Sequence, residues 1–319
     1  MADLGAEGTI LRVLVTGAAG YVGRHLCDRL RGAGVDVVGL IRRPANGMTV
    51  PCRTGDLADE YALERVLEGV DVVIHSAARV GVGTSAEFER DNVTATRNLA
   101  AALDGRRLLH LSTVQVYGTR SLVDAEESCP VDPGADPYSV TKAKAERVVA
   151  ALPRGWVIFR PAVVWGGPHD SRLMPSLRRL SALRTVVFPG PCRSPMPFTH
   201  VDNLADMVLA ALDRPAVDRE TFNVADGGLS DGVCVSFRDF VLRYGDHAGR
   251  PFRVVASAPV PVLTAAVRVG AAVAGRVGVA WPTGLRPEVL RLFNTPCTLS
   301  VARARERLGV SPTMREHLR

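Results

Sequence analysis

Short β-branched apolar runs separated by stretches of helical period recur through the first half of the chain. Residues 10–16 (ILRVLVT) open the series and read as a buried strand, since so short and continuous an apolar run fits a strand covered on both faces. Behind it Val22, Leu26, Cys27 and Leu30 fall on one helical face, and Gly32 and Gly34 stop that helix. Further strands are predicted over 35–41, 52–56, 70–75, 107–111 and 156–160, with helices over 59–67, 87–103 and 136–152. Strands alternating with helices predict an α/β fold, a doubly wound parallel sheet. Beyond Pro161 the pattern shifts to shorter elements among Pro and Gly. Helices are expected over 171–183, 202–212 (capped by Asp202), 236–244 and 299–308, and strands over 221–224 and 252–256.

The turn between the first strand and first helix is Gly17-Ala18-Ala19-Gly20-Tyr21-Val22-Gly23. Glycines at this spacing allow a tight turn, close approach of backbone to a pyrophosphate, and close helix–strand packing; the helix N-terminus then offers N–H groups to phosphate. A dinucleotide site is therefore expected at Gly17, Ala19, Gly20, Tyr21, Val22 and Gly23. The second strand ends in Arg42-Arg43. An acid there would receive a ribose 2′-hydroxyl, whereas an arginine suits a 2′-phosphate, so NADP(H) is preferred and NAD(H) is the alternative. Asp56, followed by Leu57, stands either to accept from the adenine amino group or to cap the next helix. Ser76, Ala77 and Ala78 are small enough to let the backbone pass under a cofactor, and His75 is expected to be packed rather than catalytic. The expected organisation is a disordered lead-in over 1–9, a dinucleotide-binding domain over 10–165, and a smaller substrate-binding part over 166–319 that interleaves with it.

The fifth strand delivers Ser112 and Thr113 to the carboxyl edge of the sheet, where open α/β sheets bind ligands. A hydroxyl there can hydrogen-bond a reacting carbonyl. Tyr138 and Lys142 lie four apart on a helix and so share a face. An ammonium beside a phenol favours the phenolate and brings its pKa toward a useful range. Composition sharpens the point: Lys and Arg together number 39, but only Lys142 and Lys144 are lysines. A lysine where arginine is the default base suggests a need for a compact ammonium.

A hydrophobic fraction of 47% and a charged fraction of 23% suit a globular protein. The net charge of +6 fits an anionic ligand, and the arginines form no block, so nucleic acid is not expected as a partner. Cys27, Cys52, Cys129, Cys192, Cys234 and Cys297 are far apart and make no metal-ligand spacing, so no metal is expected, and reduced thiols in a cytoplasmic protein are. The first eight residues lack a basic segment followed by an apolar run, so no signal peptide is expected. The apolar stretch 260–279 holds Arg268 and Arg276 and opens among prolines. It reads as a lid or packing helix over the substrate cleft, with weak interfacial contact with lipid as the alternative and no membrane span. Arg172, Arg178 and Arg193 stand as phosphate ligands or plain surface.

Together these residues resemble the extended short-chain dehydrogenase/reductase (NAD-dependent epimerase/dehydratase) superfamily over nearly the whole chain. The motifs are Thr16-Gly17-Ala18-Ala19-Gly20-Tyr21-Val22-Gly23, Asp56-Leu57, His75-Ser76-Ala77-Ala78, Ser112-Thr113 with Val116-Tyr117-Gly118, Tyr138 with Lys142, Arg160-Pro161, and the later Phe198-Thr199-His200-Val201-Asp202-Asn203 and Phe222-Asn223-Val224. The resemblance implies Tyr138 as acid/base and Lys142 as the group that holds the nicotinamide ribose. It implies Thr113, or Ser112, as the hydroxyl that orients the substrate oxygen. Backbone after Pro161, at Ala162 and Val163, would meet the nicotinamide amide. Val114-Gln115 stands where dehydratases of this superfamily carry Asp-Glu, which argues against dehydration. Arg42 replaces the acid usual in the epimerases, and Met196-Pro197 replaces their Arg-Asp. The loop Trp165-Gly166-Gly167-Pro168-His169-Asp170 is more similar to the 3β-hydroxysteroid dehydrogenase-like and ketoreductase branch; Gln115, Trp165 and His169 are its candidate substrate contacts. A ketoreductase on a mid-sized or apolar small molecule is therefore implied, with a sugar-nucleotide epimerase or 4-ketoreductase as the alternative and a homodimer as the expected assembly.

Overall fold

Seven parallel strands form the central sheet: β1 (Arg12–Thr16), β2 (Asp36–Ile41), β3 (Cys52–Thr54), β4 (Val72–His75), β5 (Arg107–Leu111), β7 (Trp156–Pro161) and β12 (Glu220–Val224). A separate short strand, β6 (Leu122–Ala125), lies between β5 and β7 in the chain. Their spatial order is β3-β2-β1-β4-β5-β7-β12. The order reverses between β1 and β4, and in open α/β sheets that switch opens a crevice beyond the strands' carboxyl ends. The computed structural model describes residues 11–171, 173–227, 235–276 and 292–313. The expectations for 1–9, Arg172, Cys234 and 277–279 lie outside the described residues.

The strands read as continuous apolar runs because helices cover both faces. Val13, Val15, Ile74, Leu109, Val157 and Phe222 pack with Leu26 and Leu30 of α1 (Tyr21–Gly32). On the other face Leu14, Val73, Leu108 and Ile158 pack with Leu63 and Val66 of α2 (Leu63–Leu67). Each such buried side chain contributes roughly 1.5–3 kcal/mol of transfer free energy. The expected helix over 87–103 is three pieces: α3 (Ser85–Phe88), a π-helical turn (Glu89–Thr94) and α4 (Ala95–Ala102). The active-edge helix α5 (Pro137–Ala150) starts where Asp136 caps the Ser139 N–H at 2.9 Å and Pro137 occupies the first turn.

The later part contributes short paired strands: β8 (Val163–Trp165), β9 (Thr185–Pro189), β10 (Pro195–Met196), β11 (Phe198–His200), β13 (Val235–Ser236), β14 (Val254–Ala258) and β15 (Cys297–Leu299), with β15 pairing with β6. Most were not expected, because two or three residues carry no readable period. Its helices are α6 (Leu173–Leu183), α7 (Val201–Leu212), α8 (Phe237–His247), α9 (Val260–Arg276) and a short one at Ala302–Leu308. Two expectations are corrected. The cap of α7 is His200, whose backbone is extended and whose ring Nδ1 accepts the Asp202 N–H at 3.2 Å, while Asp202 lies inside the first turn. The segment expected as a helix from 299 begins as strand, because Leu299 is buried against Leu122 and Ala125 and β15 pairs with β6; the helix starts at Ala302. Among the described residues, no helix is long and apolar enough to cross a membrane.

Candidate active site

The Gly17 turn is shaped for an anionic group. Gly17 has φ +67°, and a Cβ there would come within 2.7 Å of Ala77 Cα. A Cβ on Gly23 would collide with the Gly17 carbonyl. The Gly20 N–H closes the turn onto the Gly17 carbonyl at 2.9 Å. Gly20 stands at the α1 N-cap without a side-chain cap, and both Ala19 and Gly20 are exposed. Among the described residues no side chain caps the first turn of α1, and a helix N-terminus left uncapped behind the first strand could hold a pyrophosphate. Tyr21 of this turn is half-buried, and its hydroxyl donates to the Gly166 carbonyl at 2.6 Å. Burial, then Asp170, Asp202 and Asp226, push its pKa up, so it stays a phenol. Opposite the turn, Ser76 donates to the Thr16 carbonyl at 2.8 Å, and the Ala77 N–H donates to Thr16 Oγ1 at 3.1 Å. Ala78 follows, partly exposed.

Ser112, Thr113, Tyr138 and Lys142 are brought to one edge by β5 and α5. Tyr138 is in the first turn of α5 and half-buried; Lys142, one turn on, is buried. Lys142 Nζ donates to the Leu111 carbonyl at 2.6 Å and lies 3.2 Å from His110 Nε2. Burial brings the ammonium pKa down from 10.5 to about 8, with Glu146 pulling the other way. Thr113 is buried with extended backbone and accepts the Gln115 N–H at 3.3 Å. Ser112 Oγ is buried without a hydrogen-bond partner among the described residues. An unpartnered buried hydroxyl costs about 1–3 kcal/mol, which a substrate or cofactor oxygen would offset. Gln115 approaches the same helix, its side-chain oxygen 3.4 Å from Ser139 Oγ, which donates its proton to Asp136 at 2.8 Å.

Residues that sequence reasoning left out of the site hold α5 in place. Asn92, on the π turn, accepts the Arg79 N–H at 2.7 Å and donates to Thr141 Oγ1 at 3.0 Å. Arg160 at the end of β7 grips both oxygens of Glu146 at 2.9 and 2.7 Å, and donates to Tyr117 Oη at 2.8 Å. Tyr117 in turn donates to Asn223 Oδ1 at 2.8 Å. The available signal was a buried-strand Arg followed by Pro161, with an acid one turn beyond Lys142.

At the far end of the crevice Arg42 is largely exposed, with one N–H 3.3 Å from Asp91. The Asp91 side chain is 7% exposed and also receives Arg79 at 2.9 Å and Arg90 at 2.7 Å. An acid thus does reach the end of β2, from the π turn rather than from the strand, but three guanidiniums surround it. Asp56 accepts the Ala58 N–H at 3.0 Å and pairs with Arg90 at 2.5 Å. The cap of the following 3₁₀ turn is Asp59, not Asp56. Leu57 is buried in the core beneath.

The remaining candidates are placed as follows. Pro161 ends β7 beside Val224, and Val163 on β8 pairs with Phe198. The Ala162 N–H is already shared between Val224 O and Thr199 Oγ1. Val22 is part-buried against the β1–β2 core. Trp165 is buried, with its indole N–H on Asp226 at 2.7 Å and its ring edge-on to His200 and Phe240. His169 bonds Asp28 of α1 at 2.7 Å. His75 is packed between Thr16 at 2.8 Å and Thr96 at 3.0 Å, and burial brings its pKa to about 3.

The glycine turn and this edge agree with the match of residues 13–225 to the NAD dependent epimerase/dehydratase family. The chain belongs to that family. Within it the chain is an extended short-chain dehydrogenase/reductase. It is 34% identical over 248 residues to a 4-hydroxy-2-methyl-3-oxo-4-farnesyl-3,4-dihydroquinoline-1-oxide ketoreductase of Stigmatella aurantiaca, covering 72% of this chain and 71% of that one. It is 33% identical over 209 residues to a 2-alkyl-3-oxoalkanoate reductase of Stenotrophomonas maltophilia, covering 61% and 63%. Among solved structures, MoeE5 in complex with UDP-glucose and NAD superposes with a TM-score of 0.73 at 25% identity, over 96% of this chain and 95% of that one. The chain is an enzyme of a nicotinamide-dependent family with reductase and epimerase relatives.

Proposed function

We propose that this enzyme is an NADP(H)-dependent ketoreductase acting on a mid-sized or apolar ketone. The observation that carries the reading is the buried Lys142 one turn beyond Tyr138, on the edge that also presents Ser112 and Thr113. The Gly17 turn, the uncapped α1 N-terminus and the Ser76–Ala78 backbone would hold the cofactor. When bound in reduced form, it supplies a hydride to the carbonyl carbon. Thr113 or Ser112 hydrogen-bonds the carbonyl oxygen, and Tyr138 gives that oxygen its proton as charge develops. Lys142 stabilises the phenolate left behind. General acid catalysis of this kind contributes roughly 10²–10⁴-fold. Two relatives named as reductases of keto compounds support the substrate class. Gln115, a neutral residue in place of an acid, supports reduction over dehydration.

Preference for NADP(H) rests on Arg42. Asp91 beside it is neutralised by Arg79 and Arg90, so the exposed Arg42 guanidinium retains N–H groups for a 2′-phosphate. The likeness to a structure holding UDP-glucose and NAD favours the second reading, a sugar-nucleotide epimerase on the same residues. Titration with NADPH and NADH, for wild type and Arg42→Ala, separates the two. Tight NADPH binding that falls toward the NADH level in the variant supports the reductase. Preference for NADH, or NAD carried through purification, overturns the 2′-phosphate argument and puts the epimerase first.

A further inference from the structure

Three polar side chains lie in one row across the apolar sheet. The strand register aligns Thr16 with His75 and His75 with His110, and the row is bounded by Leu40 and Ile158. All three are buried, on the face that α4 and α5 cover. The donors in the row are fixed by counting protons. Thr96 gives its hydroxyl proton to the Asn92 carbonyl at 2.6 Å, so it accepts from His75 Nε2–H. His75 Nδ1 then accepts from the Thr16 hydroxyl, which itself accepts the Ala77 N–H. His75 is fully satisfied and neutral.

His110 is different. Its Nε2 faces Lys142 Nζ at 3.2 Å, its ring lies 5.2 Å from that of His75, and its Nδ1 has no partner among the described residues. An ammonium has donors only, so Nε2 is the acceptor and the stranded Nδ1 carries the ring proton. Keeping a buried N–H unpartnered is unfavourable. The arrangement leaves Lys142 with two of its three N–H groups fixed, one on His110 and one on Leu111 O.

We propose that His110 is a positioning residue for Lys142: its Nε2 accepts one N–H of the buried ammonium, aims the group along the β5 edge and favours its charged form. The catalytic consequence rests on the role given to Lys142 above, but the interaction itself does not. Among the described residues, the other charged and titratable groups around the pair are Glu146 on α5, which favours the ammonium, Tyr138 one turn before Lys142 on the same helix, and His75 on β4, which stays neutral.

The chain has only two lysines, so Lys142 can be read directly. In protein labelled with ¹³C-lysine, two ¹³Cε signals are expected, and Lys144→Arg assigns them. Lys144, half-exposed and paired with Glu89, is the internal reference. His110→Leu is expected to lower the Lys142 pKa by about one unit, the size of one charge-assisted hydrogen bond, while His110→Gln, which keeps an acceptor, restores it. A Lys142 titration unchanged in His110→Leu overturns the proposal. Should that variant not fold, the tautomers in wild type decide: ¹⁵N-histidine spectra should show His110 protonated on Nδ1 and His75 on Nε2. His110 protonated on Nε2 overturns it. Absence of hydride transfer with the titration shift intact would remove the functional reading and leave this interaction standing; turnover with no shift would do the reverse.

Discussion

Glu146→Gln tests how the active-site helix is held. Glu146 and Arg160 are both buried, and the guanidinium engages both carboxylate oxygens at 2.9 and 2.7 Å. Replacing the carboxylate with an amide of nearly equal volume removes the charge, and one amide N–H₂ then faces an Arg160 donor. Arg160 keeps the Tyr117 hydroxyl and the Glu127 carbonyl, at 2.8 and 3.3 Å. Removing one partner of a buried pair costs about 3–5 kcal/mol, whereas replacing the pair with apolar residues is often neutral. The retained contacts place Glu146→Gln near the lower figure, about 3 kcal/mol. The double variant Glu146→Leu/Arg160→Met should recover most of that loss. Urea unfolding with linear extrapolation measures both. In the single variant Lys142 should also titrate below its value of about 8, because Glu146 is the charge that supports its ammonium. A single variant within about 1 kcal/mol of wild type would refute the reasoning, since the ion pair would then not be anchoring α5 to β7.

Gly23→Ala should abolish nicotinamide-nucleotide binding or folding, because its Cβ would meet the Gly17 carbonyl and displace the turn; binding by fluorescence and far-UV circular dichroism check it. His75 makes a pH prediction. Its folded pKa of about 3 lies below the unfolded value of 6.5, so the native state binds fewer protons than the unfolded one between them, and the stabilisation present above 6.5 is lost as pH falls. Between pH 7 and 5.5 that loss is about 1 kcal/mol, and urea unfolding of His75→Gln should show a correspondingly shallower dependence.

The α/β class and the glycine turn were legible because they repeat local rules: apolar runs of strand length, helical spacing, and glycines where no Cβ fits. That Tyr138 and Lys142 share one helix a turn apart was legible from their spacing, and the scarcity of lysine singled out Lys142. What escaped was set by tertiary contact. Asp91 reaches Arg42 from another element, so the end of β2 looked free of acid. The Thr16–His75–His110 row joins the last residues of β1 and β4 to the last but one of β5, positions that are far apart in sequence and align only through the sheet register. The break at Glu89–Thr94 has no proline or glycine to announce it; it coincides with Asn92 bonding Arg79 and Thr141. His200 took the α7 cap from Asp202 because Asp202 turns instead to His25, at 2.7 Å.

The most direct test of the central claim is hydride transfer with and without the Tyr138 hydroxyl. Wild type and Tyr138→Phe would be given NADPH deuterated at C4 and a panel of 3-oxo acids and apolar ketones, and the alcohol product analysed by mass spectrometry. The account predicts deuterium on the carbinol carbon in wild type and a rate lower by roughly 10²–10⁴-fold in Tyr138→Phe. Reduction at an equal rate in both proteins would contradict it.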